Sequence, residues 1–127
     1  MNTYKLARNY ILKRRFKVIE DNEECIIFRY QLENIHICKD QQSEGFLIMM
    51  LPILKDESNV YYDVYKCCND VNAELKYAKV YISDNWILAA SEISCLGKKD
   101  LEHQMNVGLQ SLVMAKARYE KKYSEKD

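Results

Sequence analysis

Hydrophobic positions in the first part of the chain change from a helical period to a strand period. Over residues 3–19, apolar side chains recur every three or four positions with basic residues between them, which predicts an amphipathic helix. From residue 25 they alternate, predicting strands over 25–30 and 34–39. The next run is apolar at every position until Pro52, as expected of a strand covered on both sides.

The second half of the chain repeats this change of period. A helix is predicted from a cap at Asp56 or Ser58 to about Tyr77, because either side chain can accept a bond from an orphan backbone N–H. Strands over 78–83 and 86–94 flank the turn Asp84–Asn85, whose residues tolerate the positive φ of a type I′ hairpin. A last helix begins near Asp100. Its predicted buried stripe is Leu101, Met105, Gly108, Leu112, Ala115 and Tyr119.

The element order α-β-β-β-α-β-β-α predicts one α+β domain over residues 1–127, with a five-stranded antiparallel sheet packed against helices. Alternation along the strands divides the side chains between two faces. The face expected beneath the helices carries Ile26, Phe28, Ile35, Ile37, Phe46, Ile48, Met50, Val80 and Ile82.

The other face of the predicted sheet has an apolar centre and aromatic flanks. It presents Leu47, Met49 and Leu51, with Tyr77 and Tyr81 beside them. Such a surface is typical of protein interfaces, which favours contact with a partner protein or a second copy. The alternative is that a terminal helix crosses and buries it. Under the first hypothesis, aspartate at Leu47 and Met49 abolishes self-association and leaves the fold intact.

Charge is unevenly placed in a chain whose net charge is zero. Residues 1–20 carry six basic residues against one acid, a balance of +5, and residues 21–60 carry eight acids against three basic residues, a balance of −5. Arg8, Arg14 and Arg15 on the basic first helix could contact an anionic partner or a membrane surface, or could simply pair with the acids at 21–24 and 56–57. Nucleic-acid binding is not expected, because the whole chain lacks a basic excess.

The reactive side chains form no recognised catalytic or metal motif. Five cysteines lie at 25, 38, 67, 68 and 95 without a C-x-x-C pair, which favours free thiols in a reducing cytosol. His36 and Cys38 share a strand face but lack a third, orienting group. We therefore expect no enzyme activity, no metal and no cofactor. Neither a secretory signal nor a membrane span is expected.

Two asparagines, Asn69 and Asn72, stand three residues apart near the end of the second predicted helix. Calcium ligation does not fit, because Val71 and Glu74 occupy positions that an EF-hand-type loop gives to a donor and to glycine. An amide offers both donors and an acceptor. We therefore expect a structural role, in which Asn72 ties the end of the helix to the neighbouring strand.

Residues 24–118 resemble the YbjN-type family. The resemblance rests on the run "LPILKDESNVYYDVYKCCNDVNAELKYAKVYI" followed by "NWILAASEI", on the paired asparagines, and on the strand entry Lys76–Lys79–Tyr81. It implies the fold of type III secretion chaperones, which commonly dimerise, and hence a bacterial, cytoplasmic, chaperone-like or adaptor-like module without catalytic residues. It leaves the partner protein or peptide unidentified.

Overall fold

A computed structural model describes residues 2–40, 44–55 and 62–124, which form three helices and one six-stranded antiparallel sheet. The elements in chain order are α1 (Thr3–Lys13), β1 (Val18–Asp21), β2 (Cys25–Tyr30), β3 (Glu33–Lys39), β4 (Phe46–Lys55), α2 (Tyr62–Glu74), β5 (Lys79–Ser83), β6 (Trp86–Ser94) and α3 (Lys98–Ser124). The strands lie in the order β1-β2-β3-β4-β6-β5. The predicted α+β class is confirmed, with one strand more than expected.

The additional strand is β1, which the sequence pattern placed at the end of the first helix. That helix ends early, because Arg15 adopts a left-handed φ of 60° and the Phe16 N–H bonds back to the Ile11 carbonyl. The chain then reverses and pairs along β2 as an edge strand. Phe16 packs against Phe28, with ring centroids 5.6 Å apart. The helical spacing of Phe16 and Ile19 was therefore coincidental.

Two tight hairpins join strands in the sheet. Asp84 and Asn85 both have positive φ between β5 and β6, which confirms the predicted turn. Gln31 and Leu32 also have positive φ, and they form the two-residue turn between β2 and β3. The sequence predicted a three-residue connection here, over residues 31–33. Neither Gln nor Leu is a usual residue for this turn, so the flanking strand pairs set the register there.

All three helices pack on the same side of the sheet, and α3 runs over β4, β5 and β6. The predicted buried face is confirmed on β2 and β3, where Ile26, Phe28, Ile35 and Ile37 are at most 1% exposed. On β4 the predicted phase is wrong. Met49 lies opposite Ile37 in the ladder and is fully buried, whereas Met50 lies opposite His36 and points away from the helices. The run offers no alternation by which to choose between these faces.

Strand β4 continues beyond Pro52, where the sequence predicted its end. A bulge lies between Pro52 and Leu54, and the last β3 pair before it joins His36 to Met50. A proline without an N–H is tolerated where the ladder is already interrupted. Helix α2 ends at Glu74 rather than near Tyr77, and its predicted caps, Asp56 and Ser58, lie outside the described residues.

Gly108 marks the closest approach of α3 to the sheet. A Cβ at this position would collide with the Met49 side chain and lie 3.2 Å from the Ser91 Oγ. The predicted buried stripe of α3 is confirmed in full, since each of its six members is buried. This close contact fixes α3 above β4 and β6.

Candidate functional site

The candidate site is the sheet face that none of the described helices covers, called here the open face. Side chains that point to this face alternate along each strand with the buried set. Its apolar members are Ile27, Phe46, Ile48, Met50, Tyr81, Trp86, Leu88 and Ala90. Most of them are half-buried or exposed, and only Ala90 falls to 8% exposure. An apolar surface that crosses a sheet in this way is more typical of an interaction site than of a free monomer surface.

One continuous row of side chains crosses the centre of the open face. The ladders place Ile27 opposite His36, His36 opposite Met50, Met50 opposite Ala90, and Ala90 opposite Lys79. Directly opposite side chains on one sheet face lie close enough to contact each other. The row is apolar in the middle and charged at its β5 end, which matches the core-and-rim composition of protein interfaces.

A groove of about 690 Å³ opens along one end of this face. Pro52, Met50 and Leu88 contribute apolar walls, while Arg29, Asn34 and Asp84 provide polar groups. It lies near the end of the paired part of β3 and β4, beside the two hairpin turns. The groove is open to solvent and lined by residues of several strands, so it suits a polypeptide segment better than an enclosed small molecule.

His36 is the titratable group at the centre of the open face. Partial burial lowers the pKa of its imidazole, and the nearby Glu20 carboxylate acts in the opposite direction. The predicted shared face of His36 and Cys38 is present. Cys38, however, forms a disulfide with Cys25, so the prediction that all five cysteines are free thiols is wrong for this pair. A bonded sulfur cannot act as a thiolate nucleophile.

Three residues predicted for the partner surface are instead in the core. Leu47, Met49 and Leu51 are at most 1% exposed and lie beneath the helices, so their placement on the open face is wrong. Their neighbours Phe46, Ile48 and Met50 lie on the open face instead. The pairing of β4 with β3 sets Met49 opposite the buried Ile37 and Met50 opposite His36. Sequence reasoning missed these three because a run that is apolar on both sides conceals its phase.

The two predicted tyrosines are on the surface. Tyr81 is 39% exposed on β5, opposite Leu88 of the open face. Tyr77 is 74% exposed in the turn before β5, where it has a left-handed φ of 71°. Contact of these tyrosines with a partner stays a prediction.

The predicted anion-contact residues have local roles. Arg8 forms an ion pair with Asp21, whose Oδ2 accepts bonds from the Arg8 Nη2 at 2.6 Å and Nε at 3.0 Å; the pair joins α1 to β1 and lowers the pKa of that carboxyl. Arg14 bonds to the Tyr10 hydroxyl and stacks over the rings of Tyr10 and Phe16. Arg15 forms the left-handed turn. The expected pairing of basic helix and acidic segment is therefore present at Arg8, and anion binding stays a prediction.

The structural prediction for Asn72 is confirmed. Its amide accepts a 2.7 Å bond from the Val80 N–H and donates a 2.9 Å bond to the Val80 carbonyl. Helix α2 is thereby tied to β5. Asn69 is exposed on α2 and interacts with the neighbouring Asp70 carboxylate, whose pKa is lowered chiefly by Lys66.

Among residues 2–40, 44–55 and 62–124, no three histidine, cysteine or acidic side chains cluster as metal ligands would. No described helix is both long enough and apolar enough to span a membrane. His103 is exposed on α3, distant in sequence from the open face.

Comparisons with known proteins show the fold. Crystal structures that share it include YbjN from E. coli, described as a proposed transcription regulator, with a TM-score of 0.72 at 7% identity, covering 93% of this chain and 91% of that one. The type III secretion chaperone SycH of Yersinia pestis, solved with a fragment of YscM2, has a TM-score of 0.56 at 19% identity. The match covers 91% of this chain and 97% of that one. The HopA1–SchA chaperone–effector complex gives 0.63 at 9% identity, covering 94% of both chains. No family model and no curated protein sequence matches the chain.

Proposed function

Starting from this YbjN-like, secretion-chaperone-like fold, we propose that the chain is a non-enzymatic, chaperone-like or adaptor-like module that binds another polypeptide through its open face. The observation that carries the proposal is the row of side chains that crosses the open face from Ile27 to Lys79, with the half-buried Met50 at its centre. Two of the structural neighbours were solved with a protein partner, which supports a binding role.

The shape and composition of the open face favour a polypeptide ligand. The groove beside Pro52 and Leu88 combines apolar walls with polar groups at its rim. Aromatic and methionine side chains such as Trp86 and Met50 adapt to varied partner surfaces. The chaperone and regulator neighbours are not enzymes by their descriptions, in agreement with a role that needs no catalytic residue.

Self-association through the same face belongs to the proposal. A second copy would bury the apolar row of each subunit, removing from water the surface that a monomer leaves exposed. A cytoplasmic location also belongs to the proposal. Three of the five cysteines, Cys67, Cys68 and Cys95, are buried and form no disulfide, whereas Cys25 and Cys38 are bonded. Residues 1–127 are taken to form one domain.

Size-exclusion chromatography with light scattering tests this role. Wild-type protein is expected at about twice the 15.1 kDa chain mass and Met50→Asp at the monomer mass, with the same circular dichroism spectrum. Met114→Asp is the matched control, because Met114 is 51% exposed on α3, in the helical layer. A wild-type monomer at every concentration would contradict self-association.

Partner capture tests the binding role separately. Protein co-purified from the native cell with wild type is compared with that recovered with Met50→Asp and Met114→Asp. We expect wild type and Met114→Asp to bind the same partner, and Met50→Asp to lose it. Retention by Met50→Asp would place the binding surface elsewhere.

A further inference from the structure

Cys25 and Cys38 close the end of the β2–β3 hairpin that lies opposite its turn. They are direct partners in the antiparallel ladder, with Cα atoms 4.2 Å apart and a sequence separation of 13. The positive-φ turn at Gln31 and Leu32 joins the strands at the other end. The hairpin is thus linked at both ends, once by backbone and once by the two sulfurs.

The five cysteines fall into two classes by exposure. Cys67, Cys68 and Cys95 form no disulfide and are at most 7% exposed. Burial raises the pKa of the Cys68 thiol to about 11, so at neutral pH it holds almost no reactive thiolate. Cys25 and Cys38 are only half-buried and lie at the open face, beside Ile48. Small molecules in solution can therefore approach the bonded pair, while the other three are shielded.

The hairpin does not depend on the disulfide for its shape. Six consecutive residue pairs join β2 to β3, and β1 and β4 flank them. Phe28 and Ile35, opposite each other in this ladder, are fully buried under the helices. Reduction of the disulfide therefore removes a local link and leaves the ladder and its buried side intact.

We propose that Cys25–Cys38 is a reversible thiol–disulfide site that exchanges with small-molecule disulfides of the glutathione type. This inference goes beyond the proposed function and does not depend on it. The rest of the chain supplies the contrast that defines the site, since its three other thiols are enclosed by the core.

The exchange balances in two steps. A thiolate of the reduced pair attacks one sulfur of glutathione disulfide, so that a mixed disulfide forms and one glutathione leaves as a thiolate that takes up a proton. The second cysteine, as its thiolate, attacks the protein sulfur of the mixed disulfide, and the second glutathione leaves. Two cysteine thiols have then lost two electrons and two protons, and one glutathione disulfide has become two glutathione thiols.

Oxidation acts on the backbone at the end of the hairpin. The Lys39 N–H bonds to the Glu24 carbonyl at 2.9 Å, and the Asn22 N–H bonds to the Cys25 carbonyl at 3.0 Å. Both bonds adjoin the two sulfurs in sequence. A cross-link there holds these strand ends together, so their amide hydrogens exchange more slowly in the oxidised protein than in the reduced protein.

Alkylation in glutathione buffers tests the site. Purified full-length protein is equilibrated at a series of ratios of reduced to oxidised glutathione, quenched with acid, unfolded and alkylated, and its mass is measured. We expect three alkylated cysteines at the oxidising end and five at the reducing end, with a midpoint between. Three alkylated cysteines at every ratio would mean that the disulfide is permanent, and five at every ratio would mean that it does not form. Either result overturns the proposal.

Variants assign the response to this pair. In oxidised glutathione, Cys25→Ser is expected to gain one glutathione, at Cys38, because the second step has lost its nucleophile. Cys25→Ser/Cys38→Ser is expected to show no redox response and an unchanged circular dichroism spectrum. Hydrogen exchange at Lys39 should be about fivefold or more faster in reduced than in oxidised wild type, and redox-independent in the double variant. A redox response that persists in the double variant contradicts the assignment.

Discussion

The side chain of Asn72 occupies both outward-facing backbone groups of Val80, at 2.7 and 2.9 Å. Val80 lies in β5, the strand at one edge of the sheet. An edge strand exposes unpaired N–H and carbonyl groups that invite pairing with another chain. The amide of Asn72 imitates a neighbouring strand at this one residue, so a single side chain both anchors α2 and shields part of the edge.

Asn72→Ala is expected to lower the free energy of unfolding by about 1–2 kcal/mol, because two hydrogen bonds are lost and the Val80 groups must find water. Urea unfolding measures the change, and hydrogen exchange should rise at the Val80 amide. Asn69→Ala is the matched control, because it removes an amide side chain of the same type from the exposed surface of α2. It should change the free energy of unfolding by less than about 0.5 kcal/mol. Equal losses in both variants would contradict the assigned role.

Met49 and Met50 form an internal comparison of core and open face. Met49 is fully buried against α3, so Met49→Ala should cost about 2–5 kcal/mol in unfolding free energy. Met50→Ala, on the open face, should cost less than about 1 kcal/mol. Chemical denaturation of both variants checks the register of β4. A reversed order would mean that the strand is shifted by one residue.

Gly108→Ala is expected to destabilise the fold by up to about 2 kcal/mol. The added methyl group meets the Cε end of Met49 and the Ser91 hydroxyl beneath α3, and the higher helix propensity of Ala offsets about 1 kcal/mol of that cost. Thermal unfolding measures the loss. Gly97→Ala is the control, since no atom lies within 4 Å of a Cβ at that position. Its effect should stay within about 0.5 kcal/mol. A Gly108→Ala protein about 1 kcal/mol more stable than wild type, the gain expected from helix propensity alone, would show that α3 does not approach β4 this closely.

Protonation of His36 should destabilise the fold. Its folded pKa lies below the unfolded value of about 6.5, so the unfolded chain binds the proton more readily. The stability that the neutral His36 contributes is fully present above about pH 6.5, and it is lost progressively as the pH falls toward the folded pKa. Urea unfolding between pH 7.5 and 5 should show a smaller loss for His36→Gln than for wild type. Equal losses in His36→Gln and wild type would contradict a lowered pKa at His36.

Periodicity predicted most elements, because the partly exposed elements show one apolar side. The buried sides of β2 and β3 were assigned correctly from Ile26, Phe28, Ile35 and Ile37, and the stripe of α3 from Leu101 to Tyr119. Each has polar neighbours at the alternate or intervening positions. The Asp84–Asn85 turn was also predictable, since both residues tolerate positive φ.

Prediction failed where local sequence leaves two structures close in energy. Arg15 reverses the chain without glycine, so nothing in the pattern separated α1 from β1. Strand β4 is apolar on both sides, and only its pairing with β3 and β6 selects Met49 rather than Met50 for the core. The disulfide was missed for a related reason: Cys25 and Cys38 become neighbours only once the hairpin register is known.

The two-sided apolar character of β4 has a consequence for the unfolded chain. Residues Phe46–Leu51 are six consecutive uncharged side chains, a composition typical of segments that stack into amyloid-like sheets. In the folded protein they are held between β3 and β6. A variant with a destabilised core exposes this segment more often. We therefore expect such a variant to accumulate in cells as insoluble aggregates rather than as soluble unfolded protein.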